Sequence, residues 1–113
     1  MTTSPRPFAG GGGPENRRLL APETIAQART EVSAGTDVVL HRFSRFGLGF
    51  QLTQPERPLG PGPHGFGHFG AGGSLGFADP EAHLAFAYVM NLPGPRWQDP
   101  RSRALIDAAY AAL

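Results

Sequence analysis

The residues able to do chemistry crowd into one stretch: His64, His68, Ser74, Asp79, Glu81 and His83 all lie within twenty positions. Gly72-Gly73-Ser74-Leu75-Gly76 matches Gly-x-Ser-x-Gly, and Asp79 and His83 follow in the order serine, acid, histidine. A nucleophile elbow of that kind needs a strand, a sharp turn and a helix, with acid and histidine brought in from later elements. The few residues from Ser74 to His83, interrupted by Asp79-Pro80, are too short a path to fold that acid and histidine back onto the hydroxyl. The simpler reading starts a strand at Ser74 after a glycine turn, with an esterase using Ser74 as nucleophile kept as an alternative.

Gly65-Phe66-Gly67-His68-Phe69-Gly70 has the spacing Gly-x-Gly-x-x-Gly. A dinucleotide site built on it requires a preceding strand and a following helix N-terminus to hold the pyrophosphate. A proline loop precedes it here and a strand-like run follows, so neither support is expected. Histidines four apart on an extended strand, as His64 and His68 would be, stand about 13 Å apart. With no cysteine and no converging carboxylates, His64, His68 and His83 predict no metal site, and no cofactor is expected.

Two absences narrow the chemistry further. Among 113 residues there is no Cys, which removes disulfides, thiolate zinc sites and cysteine nucleophiles. All ten basic residues are Arg, so the sequence offers no lysine for a Schiff base, a phosphate loop or the activation of a serine. A net charge of +1 on scattered arginines gives no electrostatic footprint for nucleic acid. No apolar run reaches the roughly 18 residues of a membrane span and no apolar leader opens the chain, so a cytoplasmic location is the default expectation.

The elements that must position these residues can be read around them. Residues 1–18, with four consecutive glycines and three prolines, have the composition of a disordered tail, leaving 19–113 as one domain. Pro22 to Val32 predicts a short helix, Gly35 and Asp37 a turn, and Val38-Val39-Leu40 a brief strand. The alternation of Phe46-Gly47-Leu48-Gly49-Phe50-Gln51-Leu52 predicts a strand with one buried face. Four prolines (55, 58, 61 and 63) then fill a loop, and eight of the 17 residues from 60 to 76 are glycine. Strands follow at Ser74–Ala78 and Leu84–Asn91, split by a turn at Asp79-Pro80-Glu81. Asp99 can cap, and Pro100 open, a helix to about Ala112 with Leu105, Ala108, Ala109 and Ala112 as its apolar stripe. Phe46, Phe50 and Trp97 are expected in the core, and Arg101 and Arg103 on a solvated helix face. The fold class is α+β: an antiparallel sheet of three to five strands with the C-terminal helix packed on one face.

Taken together, FGLGFQL, then GFGHFGAGGSLGFADPEAHLAFAYVMN, then DPRSRALIDAAYAAL resembles the C-terminal part of the serine β-lactamase-related family, which includes class C β-lactamases, penicillin-binding proteins and related esterases. The resemblance implies a partial β-lactamase-like domain over 19–113. It implies that His68-Phe69-Gly70 stands where the family carries Lys-Thr/Ser-Gly or His-x-Gly, on an edge of the active-site sheet. His68 would then contact a substrate carboxylate or a catalytic tyrosine, Gly70 would allow close approach, and the Ala71 N–H would supply half of an oxyanion hole. Phe69 departs from the usual Thr or Ser and removes a hydroxyl that could bond a β-lactam carboxylate, which points toward small ester or amide substrates.

The family nucleophile sits in Ser-x-x-Lys, which a sequence without lysine cannot contain, and no Tyr-x-Asn or Ser-x-Asn is found. Family members are also about three times longer. The sequence is therefore expected to be a C-terminal fragment or truncated member, inactive alone. Its partner would be a chain supplying the missing N-terminal part of the domain, or a second copy; the alternative function is a non-catalytic assembly or binding module that pairs with a partner strand through an exposed sheet edge.

Overall fold

The computed structural model describes residues 18–56, 58–95 and 99–113. The expected tail and Trp97 lie outside the described residues, apart from Arg18. A short helix, α1 (Pro22–Ala28), leads into six strands: β1 (Ser33–Asp37), β2 (Arg42–Phe46), β3 (Gln51–Leu52), β4 (Phe66–Phe69), β5 (Leu75–Asp79) and β6 (Leu84–Tyr88). A twelve-residue helix, α2 (Pro100–Ala111), closes the chain. The strands form one antiparallel sheet in sequence order, β1 to β6. The α+β class and the C-terminal helix are as the sequence implies. The sheet has six strands rather than three to five, because residues 33–46 fold as a hairpin of their own.

Local chemistry explains where the elements start and stop. Pro22 sits in the first turn of α1 with Glu23 beside it, and the helix ends at Ala28 rather than Val32. By Val32 the chain has already joined the sheet, its N–H donating to Phe46 C=O at 2.9 Å. Val38-Val39-Leu40 is a turn, not a strand. Asp37 accepts the N–H groups of Val39 and Leu40 on Oδ1, and His41 enters the left-handed region at φ 54°. This side-chain capping outweighs β-branched propensity, and all three residues stay exposed. The run 46–52 also bends: Gly47 N–H donates to Phe50 C=O, Gly49 has φ 82°, and Phe46 pairs with Gln51 across the turn. The two glycines that produced the alternation are the residues that reverse the chain. Strand β6 stops at Tyr88, three residues short of Asn91.

Each face of the sheet buries a cluster. Ile25 of α1 packs with Leu52, Phe66 and Ala78. Ile106 of α2 packs with Leu59, Phe69, Leu75 and Phe77. Phe77 and Ala78 are neighbours on β5 and so point to opposite faces, which places the two helices on opposite sides of the sheet. The buried residues of α2 are Ser102 and Ile106, with Tyr110 one turn on in contact with the same cluster. Leu105 and Ala108 of the expected stripe face solvent, since four-residue spacing from Ser102 selects a different side of the helix.

Candidate active-site hairpin

Strands β4 and β5 are joined by a glycine-rich turn. Gly70 N–H donates to Ser74 C=O at 2.7 Å, and Gly73 N–H donates to Gly70 C=O at 3.1 Å. Gly73 has φ 103°, a conformation that side chains rarely adopt. These features define a three-residue hairpin loop, a β-turn over Gly70–Gly73 closed by a glycine in a positive-φ conformation. Such a loop uses the amides of Gly70 and Gly73 and leaves that of its first residue, Ala71, unengaged. Ala71 is exposed, and its N–H donates to no other described residue. A backbone N–H in a turn without a partner among the described residues is the kind of donor an oxyanion hole uses.

His68, two residues before the hairpin, is the exposed member of β4, whose other residues are buried. Its ring lies 6.2 Å from that of Phe46 between centroids. Its Nδ1 is 2.7 Å from Phe69 C=O. A carbonyl only accepts, so in the neutral ring Nδ1 carries the proton and Nε2 is left as an outward-facing acceptor.

The structure alters the expected parts of Phe69 and Gly70. The Phe69 side chain lies in the α2-side cluster with Leu75 and Ile106, so only its backbone borders the site. The space over Gly70 is filled by the Ser74 hydroxyl, which a Cβ would overlap. A Cβ there would have to turn the Ser74 hydroxyl aside. Strand β4 is interior to the sheet order, between β3 and β5, but β3 is only two residues long and ends opposite Gly67. Beyond that point the side chain of buried Gln51 replaces a strand, its Oε1 accepting Phe69 N–H at 3.0 Å. His68 and Phe69 thus lie beyond the ladder pairing with β3 without being on the outermost strand.

The fold does not bring Ser74, Asp79 and His83 together. Ser74 precedes β5 and His83 sits in the turn after it at φ 51°, with on the order of 15 Å of strand between. Asp79 is buried and committed elsewhere. Its Oδ1 accepts the N–H groups of Glu81 and Ala82, and its Oδ2 accepts the Tyr110 hydroxyl at 2.6 Å. Burial, helped by that hydrogen bond and by the Asp79 charge, pushes the Tyr110 phenol well above its ordinary range. His64 stands near Glu81 (3.9 Å), and no group of three or more metal-ligating side chains forms among the described residues.

Sequence reasoning missed the roles of Gln51 and Arg101. Gln51 lay inside a run read as one strand. Arg101 is not a free surface cation: it binds the N-cap Asp99 through Nε and Nη2 and donates to Leu92 C=O. The Asp-Pro-Arg order, an acid with an arginine two positions on, was its visible signal. Arg103 likewise donates to Pro58 C=O at 2.9 Å.

An antiparallel sheet in sequence order with a covering C-terminal helix is the sheet side of a β-lactamase-type fold. The chain belongs to the Beta-lactamase family, whose sequence profile matches residues 7–111. It is 50% identical over 87 residues to Esterase/beta-lactamase LipL of Mycobacterium tuberculosis, an alignment spanning 74% of this chain and 19% of that protein. A penicillin-binding protein homologue from Caulobacter crescentus superimposes with a TM-score of 0.89 at 43% identity. A family VIII carboxylesterase does so with 0.89 at 39%. Each of these two structures aligns with 96% of this chain, which spans only 29% of theirs. Among the described residues no helix is long and apolar enough to cross a membrane.

Proposed function

We propose that these 113 residues form the substrate-binding strand and half the oxyanion hole of an ester-hydrolysing serine enzyme. The nucleophile and general base would come from polypeptide outside this sequence. The observation that carries this reading is the unengaged Ala71 N–H, held at the hairpin two residues beyond the exposed His68 strand position. When a serine oxygen adds to an ester carbonyl, the π electrons move to the carbonyl oxygen, and Ala71 N–H would donate to that developing charge. In its neutral form His68 offers Nε2 as an acceptor to a hydroxyl donor such as a catalytic tyrosine. With the Phe69 side chain in the core, no hydroxyl at that position is offered to a substrate carboxylate. That absence favours uncharged small esters or amides.

The chain alone is expected to leave nitrophenyl esters and nitrocefin unhydrolysed. Combined with the missing N-terminal part taken from a family VIII carboxylesterase, it should support hydrolysis of a nitrophenyl ester. Ala71→Pro tests the donor directly, because proline suits the first central position of the turn yet has no N–H. It should lower kcat of the combined enzyme by about 10²–10³. Turnover by the 113 residues alone, abolished by Ser74→Ala, would refute the proposal and favour the Gly-x-Ser-x-Gly reading.

A second reading rests on β6, the outermost strand. From Leu84 to Tyr88 it has no charge, proline or glycine, whereas β1 at the other edge, equally long, carries Ser33, Gly35, Thr36 and Asp37. Such an unprotected edge suits pairing with a strand of another chain. A discrete dimer by analytical ultracentrifugation, broken by Ala87→Lys, would support assembly; a monomer would count against it.

A further inference from the structure

Asp99 is only 3% exposed, although it carries a carboxylate. A buried charge needs a partner, and Arg101 supplies one fully. Oδ1 accepts Arg101 N–H at 2.8 Å and Nε at 3.0 Å, while Oδ2 accepts Nη2 at 2.6 Å. The same Nη2 donates to Leu92 C=O at 3.0 Å. Hydrogen bonds from Arg101 hold the Asp99 carboxyl below the usual carboxylate range.

Capping a helix does not require this much. Ser, Thr or Asn can accept the N-terminal amides without an ion pair or burial. Besides the helix, where its C=O accepts Ser102 Oγ and Arg103 N–H, Asp99 packs on Gly73 of the hairpin and on Gly94. A Cβ on Gly73 would lie 2.7 Å from Asp99 Cβ, and one on Gly94 would overlap Asp99 Oδ2. Gly94 N–H donates to Gly72 C=O at 2.8 Å, and a Cβ on Gly72 would lie 3.0 Å from Pro93 Cβ. Hairpin, 92–94 segment and helix start therefore meet with almost no side chain between them, and the Asp99 carboxylate stands at the junction.

We propose that the Asp99–Arg101 pair is a positioning element for the active-site hairpin: it clamps residues 92–94 under Gly72 and Gly73 and so fixes the direction of the Ala71 N–H. The proposal deepens the reading of Ala71 as an oxyanion donor and rests on it for its functional meaning. Without the Arg101 guanidinium, the Asp99 carboxylate keeps the residue-101 backbone N–H but has no opposite charge beside it, and it is drawn toward water. Gly73 then loses the surface it rests on, Leu92 C=O loses its donor, and the Gly94–Gly72 bond is free to open. The hairpin keeps its fold through its own two hydrogen bonds but loses its fixed tilt, and a donor of this kind works only when held within about 0.5 Å.

The test uses amide NMR on the ¹⁵N-labelled 113-residue chain carrying Arg101→Met. The amides of Ala71, Gly72, Gly73 and Gly94 should shift, and exchange at Gly94 should quicken about tenfold. Those of Glu81 and Ala82, held by Asp79 at the far end of β5, should stay in place. Arg101→Lys should restore the hairpin in part. Changes confined to the first turn of α2 would overturn the proposal. Should Arg101→Met abolish folding, Asp99→Ser keeps an N-cap acceptor without the ion pair, and an unmoved hairpin in that variant would overturn it equally. In the combined enzyme Arg101→Met should cut kcat by roughly ten- to a hundredfold with KM little changed. A displaced hairpin with kcat unchanged would defeat the oxyanion reading of Ala71 while upholding the clamp.

Discussion

Replacing Tyr110 by Phe removes one hydroxyl and leaves a nearly isosteric ring. Two consequences can be worked from the geometry. The ring stacks on Phe77 with centroids 6.5 Å apart and planes 2° from parallel, a contact phenylalanine retains. What is lost is the 2.6 Å hydrogen bond to Asp79 Oδ2, on a carboxylate that is 3% exposed. A hydrogen bond to a charged group contributes about 1.5–3 kcal/mol, and the abandoned buried oxygen keeps the loss from falling below that range. For a domain of this size roughly 4 °C accompanies each kcal/mol, so Tm should fall by about 6–12 °C.

The pH dependence carries the sharper signature. The Tyr110 pKa is raised in the folded state, so its protonated form is the one that folding favours. Its contribution is complete below the unfolded phenol pKa of about 10 and is lost as pH rises from there toward the folded value. Urea melts between pH 8 and 11.5 should show wild-type stability falling more steeply above pH 10 than that of Tyr110→Phe. A loss under 0.5 kcal/mol at pH 8, with parallel curves above pH 10, would refute the claim that this bond fastens α2 to the sheet.

Two further substitutions test the packing and the backbone. Ile106→Ala removes a fully buried side chain between α2 and the sheet and should cost about 2–5 kcal/mol by denaturant titration. Leu105→Ala, one position away and exposed, should cost less than about 0.5 kcal/mol, which checks that the buried stripe is the one through Ser102 and Ile106. His83 holds φ 51° in an exposed turn, where glycine avoids a strain of roughly 1 kcal/mol. His83→Gly should therefore raise Tm by a few degrees despite the greater freedom it gives the unfolded chain, and a lowered Tm would show that the imidazole has a stabilising partner.

The fold was legible in the sequence wherever one local rule acted alone. Asp99-Pro100 announced a helix start, the Asp79-Pro80-Glu81 turn separated two strands, and both appear in the structure at those places. Errors arose where a side chain overrode propensity. Asp37 converts Val38-Val39-Leu40 into a turn by accepting two backbone amides, a contact that depends on which way the chain is already bending. At 46–52 the alternation of large and small residues was real, but its small residues were glycines that serve as turn positions. The α2 stripe was misjudged because Tyr110 and Ser102 are polar by type, and only their buried partners, Asp79 Oδ2 and Asp99 C=O, turn that face inward.

The candidate site divides along the same line. His68, Gly70 and Ala71 were proposed from the family resemblance, and the structure places them consecutively on one strand and its hairpin. What holds them in place was invisible, since each support arrives from a distant segment: Gln51 from eighteen residues before Phe69, and Asp99 and Arg101 from the start of the last helix. The glycines record this without naming the partner. Gly72, Gly73 and Gly94 are small because a backbone, a proline and a carboxylate already occupy the space beside them. The excess of glycine in this sequence therefore reflects, in part, the close packing of a hairpin against a helix cap. An amide donor fixed in this way has its direction set before substrate arrives, which is the condition under which a backbone N–H stabilises an oxyanion.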